Sequence, residues 1–410
     1  MNRLNNRYDY LLILLIALLA FGNYGNGAQP ARLLIIALAP FMIIGSIRRP
    51  SFTVNYYKYE CFFLIGWWLW ALAFLYKAQD LTESLKHLIY LFIHILGFLE
   101  VLWMAGKAAN PQRSLQKGWI LLLMITLPIA INEYVTDEHM SNSLQESGAV
   151  MKFGNVSVAR PFAAVTFGNL NSFNTVLCWA LPSLFFFNLY PKRKYDSVLG
   201  YLLLFFVVVV VVANASRGAI LCMGVMLATF IYSYYKTGRN RVALTVVIVV
   251  IGFVLAYFLF DLFFMILKRF STQGMQDTGR VENIVKGIQA LLDSGGVGIG
   301  IGNYDPVMTA RYNVRIAAPH NLLLEVVVLF GFPIFIGFLG MLFRLFHKGM
   351  SGSPANKSML LSCAIAILFA GVVDSNYLMK VPTWMFVATA YIYVDKRYSI
   401  HQEPKLSEKL

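Results

Sequence analysis

Long apolar runs recur from one end of the chain to the other and are its main structural signal. Most are long enough to cross the hydrocarbon core of a bilayer. Backbone polar groups in lipid must be satisfied within each segment, so each run is expected to be a helix. The first run follows Arg3 and Arg7 and lacks a small-x-small cleavage site, which favours a retained helix over a signal peptide. Twelve spans are predicted, at about residues 9–22, 31–47, 61–76, 85–105, 119–134, 169–190, 198–216, 217–235, 242–267, 320–344, 358–376 and 382–395.

Two longer stretches interrupt this pattern. Residues 133–168 begin with acidic side chains and contain Arg160. Residues 268–319 include a segment, 280–292, in which apolar residues recur at helical spacing. That segment predicts an amphipathic helix that lies on the membrane–water boundary or over a cavity. No internal repeat or separate soluble domain is recognisable, so residues 1–410 are predicted to form one all-α, polytopic membrane unit.

The composition supports a membrane protein, and the positions of its basic residues predict how the chain is oriented in the membrane. Apolar residues make up 58% of the chain and charged residues only 13%, which excludes a soluble protein. Basic clusters such as Arg48-Arg49 and Lys192-Arg193-Lys194 fall in alternating loops. The positive-inside rule then places both termini in the cytoplasm and the two longer loops outside. The net charge of +14 is therefore read as a topology signal and an attraction to anionic lipids, not to nucleic acid.

Four short polar motifs fall at one predicted membrane face. They are Ser216-Arg217-Gly218, Gly279-Arg280, Gly298-x-Gly-x-Gly302 and Pro319-His320-Asn321. A guanidinium fork matches phosphate oxygens bidentately, and a neutral imidazole is the usual general base near pH 7. The motifs therefore predict an anionic, lipid-linked substrate bound by arginines, beside a histidine that accepts a proton.

Local signals refine this picture. Ser216 is predicted to cap the helix that Arg217 begins, although an interfacial arginine can also simply snorkel. His320 is predicted to lie at the cap or in the first turn of the tenth span, after Pro319. The glycine run predicts a backbone that bends sharply or approaches another segment closely, or else an anion-binding nest. It lacks the spacing of a nucleotide-binding motif.

Other polar residues near these motifs are secondary candidates. Arg160 is a candidate ligand for phosphate or sugar. Glu325 is expected to orient the imidazole or to pair with an arginine, with Asn321 as a further neighbour. Asp374, at membrane depth, is a functional candidate or the ion-pair partner of an arginine. The four cysteines lie inside apolar runs without Cys-x-x-Cys spacing, so no metal site and no cofactor are predicted.

Together with Glu325 and Gly331, these motifs resemble those of the O-antigen ligase and polymerase family of bacterial envelope enzymes. The resemblance runs from about Arg160 to Asp374. It implies about a dozen helices in the bacterial inner membrane, a periplasmic site, no metal requirement, and transfer of a glycan from an undecaprenyl-pyrophosphate carrier. By this resemblance Arg217 and Arg280 match the family's pyrophosphate-binding arginines and His320 its base, with Arg160 a looser match.

The acceptor is left open by these motifs. A ligase transfers the glycan to lipid A–core, a polymerase to another lipid-linked repeat, and a related transferase to a protein hydroxyl. The ligase is preferred here, because the pattern of two arginines and one histidine fits it without extra elements. A transporter of lipid-linked glycan is the alternative of another class. It would more often show inverted repeats, broken helices and charges at the membrane midplane.

Overall fold

The computed structural model consists almost entirely of helices. It describes residues 6–23, 28–48, 56–140, 150–153, 156–159, 162–191, 193–214, 216–236, 280–314, 318–351 and 354–398. The helices are α1 (Asn6–Ala17), α2 (Pro30–Arg48), α3 (Lys58–Ala73), α4 (Leu81–Ala105), α5 (Pro111–Thr136), α6 (Leu170–Leu189), α7 (Lys194–Ala213), α8 (Arg217–Lys236), α9 (Arg280–Asp293), α10 (Tyr304–Tyr312), α11 (Leu322–Met350), α12 (Pro354–Ile365) and α13 (Val381–Val394). A short antiparallel hairpin, β1 (Val150–Phe153) and β2 (Val156–Ala159), interrupts the predicted all-α pattern, with Val150 opposite Ala159.

The predicted spans coincide with helices wherever the structure describes them. Within the described residues, seven helices are long and apolar enough to cross a membrane, and three shorter helices are also apolar. The chain is therefore a multi-pass membrane protein. The predicted span at 242–267 lies outside the described residues, so the count of twelve stays a prediction.

The helices differ in what surrounds them. In α6, 94% of the apolar window is buried inside the protein, whereas in α2 the share is 28%. Large apolar side chains on the outer helices are exposed, among them Phe41 and Phe62. We infer that α6 lies at the centre of the bundle and α2 at its rim. The exposed apolar side chains of the rim then contact lipid.

Polar side chains set several helix starts. Asp80 accepts a hydrogen bond from the backbone N–H of Glu83 (3.0 Å) at the start of α4. Asn169 accepts one from the N–H of Asn171 (2.7 Å) at the start of α6. These contacts satisfy N–H groups that have no partner within the helix.

The first long loop begins later than predicted. Glu133 was assigned to its acidic start, but it lies in α5 and is fully buried. Its carboxylate accepts hydrogen bonds from the N–H groups of Ala164 and Val165, both at 2.8 Å. The side chain therefore anchors the return of the loop to α6, a long-range role that local sequence pattern does not show.

The predicted amphipathic helix is present as α9, and its apolar face is exposed. Val285 and Leu292 are 57% and 62% exposed. The opposite face is buried and packs against α11, where a methyl group added at Gly287 would lie 3.3 Å from Val328. This arrangement favours a position on the membrane–water boundary over a position as a cavity cover.

Candidate functional site

The starts of three helices meet the segment 371–380 at one end of the bundle. The N–H of Leu322, at the start of α11, donates to the carbonyl of Gly371 at 2.8 Å. At the starts of α8 and α6, the Ser216 hydroxyl donates to Oδ1 of Asn171 at 3.1 Å. Lys380 Nζ donates to the hydroxyl of Ser172, also in α6, at 2.9 Å. We call this region the site end, because it gathers Ser216, Arg217, His320, Glu325 and Asp374.

Arg217 is the first residue of α8 and its side chain is exposed. It makes no ion pair with any residue that the structure describes. The next residue, Gly218, packs against the segment 371–380, because a methyl group added there would lie 3.2 Å from a side-chain carbon of Val373. Ser216, predicted to cap α8 through its hydroxyl, directs that hydroxyl to Asn171 instead, while its carbonyl accepts from the N–H of Ile220.

His320 lies one residue before the cap of α11, so its predicted place at the cap or in the first turn is wrong. The cap is Asn321, whose side-chain oxygen accepts from the N–H groups of Leu323 (2.9 Å) and Leu324 (3.1 Å). Asparagine is among the residues preferred at this position. His320 is half-buried and adopts a left-handed backbone with φ of 39°. That conformation is uncommon for a residue with a side chain and often marks a functional position.

Glu325 is buried one turn further along α11. Its carboxylate accepts from the N–H of Tyr377 at 2.8 Å and from the N–H of Leu378 at 3.2 Å. It was expected to orient the imidazole or to pair with an arginine, but its described contacts are with backbone amides. Glu325 therefore fixes the turn that precedes Lys380.

Asp374 forms an ion pair with Lys380, not with an arginine. The carboxylate is almost fully buried, whereas the lysine side chain is 24% exposed. Sequence reasoning missed Lys380. The available signal was a lysine directly before the last apolar run, at a depth where a cation is costly without a partner.

Two further polar residues, which sequence reasoning also missed, bind the carbonyl groups of the same turn. Arg32 in α2 is buried and donates to the carbonyl of Met379 at 2.8 Å. His94 in α4 is fully buried, and its Nδ1 lies 2.9 Å from the carbonyl of Leu378. The guanidinium of Arg32 also lies 3.8 Å from the ring centre of Tyr90. A turn whose amides and carbonyls are both held in this way is rigid, and it positions Lys380 at the site end.

The glycine run packs against a break in α11. Gly331 has φ of 77° and ψ of −178°, which interrupts the helix. The N–H groups of Ile299 and Gly300 donate to the carbonyls of Val328 (2.9 Å) and Leu329 (3.0 Å). The predicted close approach is therefore confirmed. The predicted anion nest is wrong at these amides, because they are already bonded to α11.

A methyl group explains why glycine is needed at this junction. Added at Gly298, it would lie 2.5 Å from the carbonyl oxygen of Leu329. Added at Gly331, it would lie 2.3 Å from the backbone carbon of Val297. Each contact is shorter than two non-bonded atoms allow. The break is thus filled by backbone, which satisfies the carbonyls that the interrupted helix exposes.

Arg280 begins α9, and the structure describes its helix but not its side chain. Along α9, Gly287 faces Leu324 and Val328 near the start of α11, and Gly296 later faces Phe332. The two helices therefore run side by side in the same direction, and the first turn of α9 lies towards the start of α11. The other arginine candidate, Arg160, lies outside the described residues.

Comparison with known proteins identifies a family that this chain resembles. Residues 202–339 match the family described as O-antigen ligase. That region contains all four polar motifs, and Arg160 and Asp374 lie outside it. The chain is also 22% identical over 400 residues to the teichuronic acid biosynthesis protein TuaE of Bacillus subtilis (strain 168), across 91% of this chain and 80% of that protein.

These findings confirm the resemblance to the O-antigen ligase and polymerase family. They support a glycosyl-transferring membrane protein of cell-surface polysaccharide synthesis that acts on lipid-linked glycans.

Proposed function

We propose that the chain is an O-antigen ligase, which transfers a glycan from undecaprenyl-pyrophosphate to the lipid A–core oligosaccharide. The observation that carries this proposal is the meeting of three helix starts at the site end. There an exposed arginine, a histidine in a left-handed conformation and a neutralised carboxylate belong to neighbouring segments. Helix starts favour bound phosphate through their dipoles.

Each residue then has one task in the transfer. Arg217 and Arg280 bind the pyrophosphate and stabilise its growing charge as the bond from the anomeric carbon to phosphate oxygen breaks. His320 accepts the proton of the attacking hydroxyl while the new bond forms at the anomeric carbon. Attack opposite the leaving group inverts that carbon. A stabilised pyrophosphate leaves as an anion, so the transfer needs neither a general acid nor a metal.

The ion pair of Asp374 with Lys380 supports this division of tasks. An isolated carboxylate at the site end would repel a pyrophosphate that carries several negative charges. Pairing with Lys380 cancels that charge within the protein. We assign Lys380 the role of keeping the site end electropositive, and Asp374 the role of holding that lysine.

The second candidate is a polymerase that joins lipid-linked repeats. It is favoured by one observation, namely that a relative matched over 91% of this chain is named for the biosynthesis of teichuronic acid and not of lipopolysaccharide. The site residues and the chemistry are the same for both candidates, and only the acceptor hydroxyl differs.

Deletion of the gene separates the two candidates. Loss of a ligase leaves lipopolysaccharide with bare core while lipid-linked polymer accumulates. Loss of a polymerase leaves core that carries a single repeat. Lipopolysaccharide electrophoresis and analysis of the lipid-linked glycan pool distinguish these results. If both measurements on the deletion strain matched the wild type, the proposed function would be contradicted.

A transporter is less well supported. The break in α11 at Gly331 is a feature that transporters share. Here, however, the amides of Ile299 and Gly300 occupy the carbonyls that the break exposes, so these do not form an ion site. The polar candidates lie at one end of the bundle rather than at its middle, which favours chemistry at a surface.

The proposed orientation places the site end in the periplasm of the inner membrane, with both termini in the cytoplasm. A cysteine introduced near Gln145 or Gly295 should then react with an impermeant thiol reagent added from outside. A cysteine near Lys194 should not. Labelling at the Lys194 position alone would invert the orientation and contradict a periplasmic site.

A further inference from the structure

A cavity of about 730 Å³ opens beside the start of α11. The residue before His320, Pro319, forms part of its wall, as do Glu325 and Asn376. The rest of the wall comes from the start of α4, from α10, from the loops before these two helices, and from Leu329 and Met379. The lining residues are Gln79, Asp80, Glu83, His87, Gly302, Tyr304, Asp305, Pro306, Thr309, Ala310, Pro319, Glu325, Leu329, Asn376 and Met379. The volume lies within the range typical of sites for small molecules.

The charge of this wall differs from that of the site end. Three carboxylates line it away from the site end, from Asp80, Glu83 and Asp305, and the described lining includes no lysine or arginine. Lys86, beside the cavity, pairs with Glu83 at 2.9 Å and offsets part of that charge. The wall therefore disfavours pyrophosphate. Carboxylate oxygens accept hydrogen bonds from sugar hydroxyls, so the wall suits a ring rich in hydroxyl groups.

Donor and acceptor groups also line the cavity. His87 Nε2 lies 3.2 Å from Oε1 of Glu83, one turn earlier on α4. Tyr304 is buried, and burial, with the charge of Glu325 second, raises the pKa of its hydroxyl above the ordinary value. The hydroxyl donates to the carbonyl of Asn283 at 3.4 Å, so its oxygen is left to accept a hydrogen bond from a ligand. A mixed set of this kind orients a polar ligand in a way that an apolar lipid pocket does not.

From this position and chemistry we propose that the cavity is the acceptor subsite, which holds the sugar rings of the acceptor glycan next to His320. The inference rests on the proposed function and adds where the second substrate binds. Donor and acceptor then approach the start of α11 from different sides. The pyrophosphate lies among the cations of the site end, and the acceptor sugars lie among the carboxylates of the cavity.

Filling the cavity tests this assignment. Ala310 is exposed and lines the wall, so Ala310→Trp places an indole in the proposed sugar site. Gln289→Trp is the matched control, because Gln289 is exposed on the neighbouring helix α9 and is not among the lining residues. The assay uses full-length protein in proteoliposomes. The donor is undecaprenyl-pyrophosphate-linked glycan and the acceptor is the envelope glycolipid fraction, both isolated from the organism that carries the gene.

Ala310→Trp should raise the acceptor concentration needed for half-maximal transfer by about tenfold or more, since a blocked subsite loses its binding contacts. Donor binding and melting temperature of this variant should stay at the wild-type level. In Gln289→Trp, the acceptor requirement, donor binding and melting temperature should all match the wild type. His87→Gln should raise the acceptor requirement by about two- to tenfold, the range for one hydrogen bond, with maximal transfer retained.

Loss of donor binding in Ala310→Trp would overturn the assignment, because the cavity would then hold the donor. An unchanged acceptor requirement in a folded Ala310→Trp protein would also overturn it. Arg217→Ala is measured in the same proteoliposomes. If Arg217→Ala bound donor as well as the wild type, the proposed function itself would fail, whatever the cavity variants did.

Discussion

The two ends of the bundle use charged residues differently. Helices α11 and α13 connect them. At the end opposite the site, the fully buried Glu60 pairs with Arg344 at 3.2 Å and with Lys348 at 3.3 Å. Asp395, also fully buried, accepts from the Tyr57 hydroxyl at 2.5 Å and pairs with Arg397. At the site end, Arg217 is exposed and has no ion-pair partner among the described residues.

The difference distinguishes cations that pair with carboxylates of the protein from cations that could bind a substrate. A carboxylate buried at a helix end costs free energy unless a cation and hydrogen bonds compensate it, and the opposite end supplies both. Arg217 has no carboxylate partner among the described residues. Under the proposed function, its partner is the pyrophosphate of the substrate. The comparison therefore predicts losses of activity at the site end and losses of stability at the opposite end.

The largest expected effect is at His320. His320→Asn should lower transfer by about 10²–10⁴-fold, the usual contribution of a general base. Asparagine tolerates the left-handed backbone found there, so the melting temperature and donor binding should be retained. His320→Gln should be similarly impaired in transfer. Most of the activity remaining in a stable His320→Asn protein would make His320 a structural residue and point to Glu325 or Asp374 as the base.

The break in α11 should show a large effect on stability. Gly331→Ala forces a methyl group onto the backbone of Val297 in a conformation that favours glycine. We expect a loss of about 1–3 kcal/mol or more in the free energy of unfolding, from backbone strain and the steric clash. Gly224→Ala is the control, since no atom lies within 4 Å of the added methyl group. Thermal denaturation in detergent measures both variants, and equal melting temperatures would contradict the packing described for the glycine run.

The charge network at the opposite end should give a smaller loss of stability and little loss of activity. Glu60→Gln leaves Arg344 and Lys348 without their shared carboxylate. A loss of about 1–3 kcal/mol is expected, because Arg344 is partly exposed and regains solvent. Transfer per folded molecule should remain near the wild-type level. If transfer fell while the melting temperature did not, the two ends would not be functionally separate.

The smallest expected effect is that of a chelator. Neither proposed role, charge stabilisation by arginine or proton transfer to histidine, uses a metal. Transfer in proteoliposomes should therefore be the same with and without EDTA. A loss of transfer that added Mg²⁺ or Mn²⁺ restores would show that a metal shares the task given to the arginines.

Local sequence pattern predicted most of the helices and little of their cross-chain pairing. Apolar runs located the spans because lipid requires an apolar helix of nearly fixed length. The glycine run was predicted to approach another segment, since glycine permits both positive φ and close contact. Its partner was not predictable, because Gly331 lies about thirty residues away and nothing local links the two positions.

The site was predicted in part for the same reason. The motifs around Arg217 and His320 stand out locally, as charged or polar residues beside apolar runs. The roles of Glu325 and Lys380 depend on a turn that Arg32 and His94 hold from two other helices. Local pattern also placed Glu133 in a loop, although the carboxylate anchors residues about thirty positions further along the chain.

Donor binding by matched arginine variants tests the central claim most directly. Arg217 and Arg193 are both exposed arginines at helix starts, but Arg193 is the cap residue of α7, on the other side of the membrane in the proposed orientation. Undecaprenyl-pyrophosphate-linked glycan is titrated into the wild type, Arg217→Ala, Arg217→Lys and Arg193→Ala in proteoliposomes. The account predicts a loss of about tenfold or more for Arg217→Ala, partial recovery for Arg217→Lys because ammonium lacks the bidentate fork, and no change for Arg193→Ala. Equal donor affinity in all four proteins would contradict it.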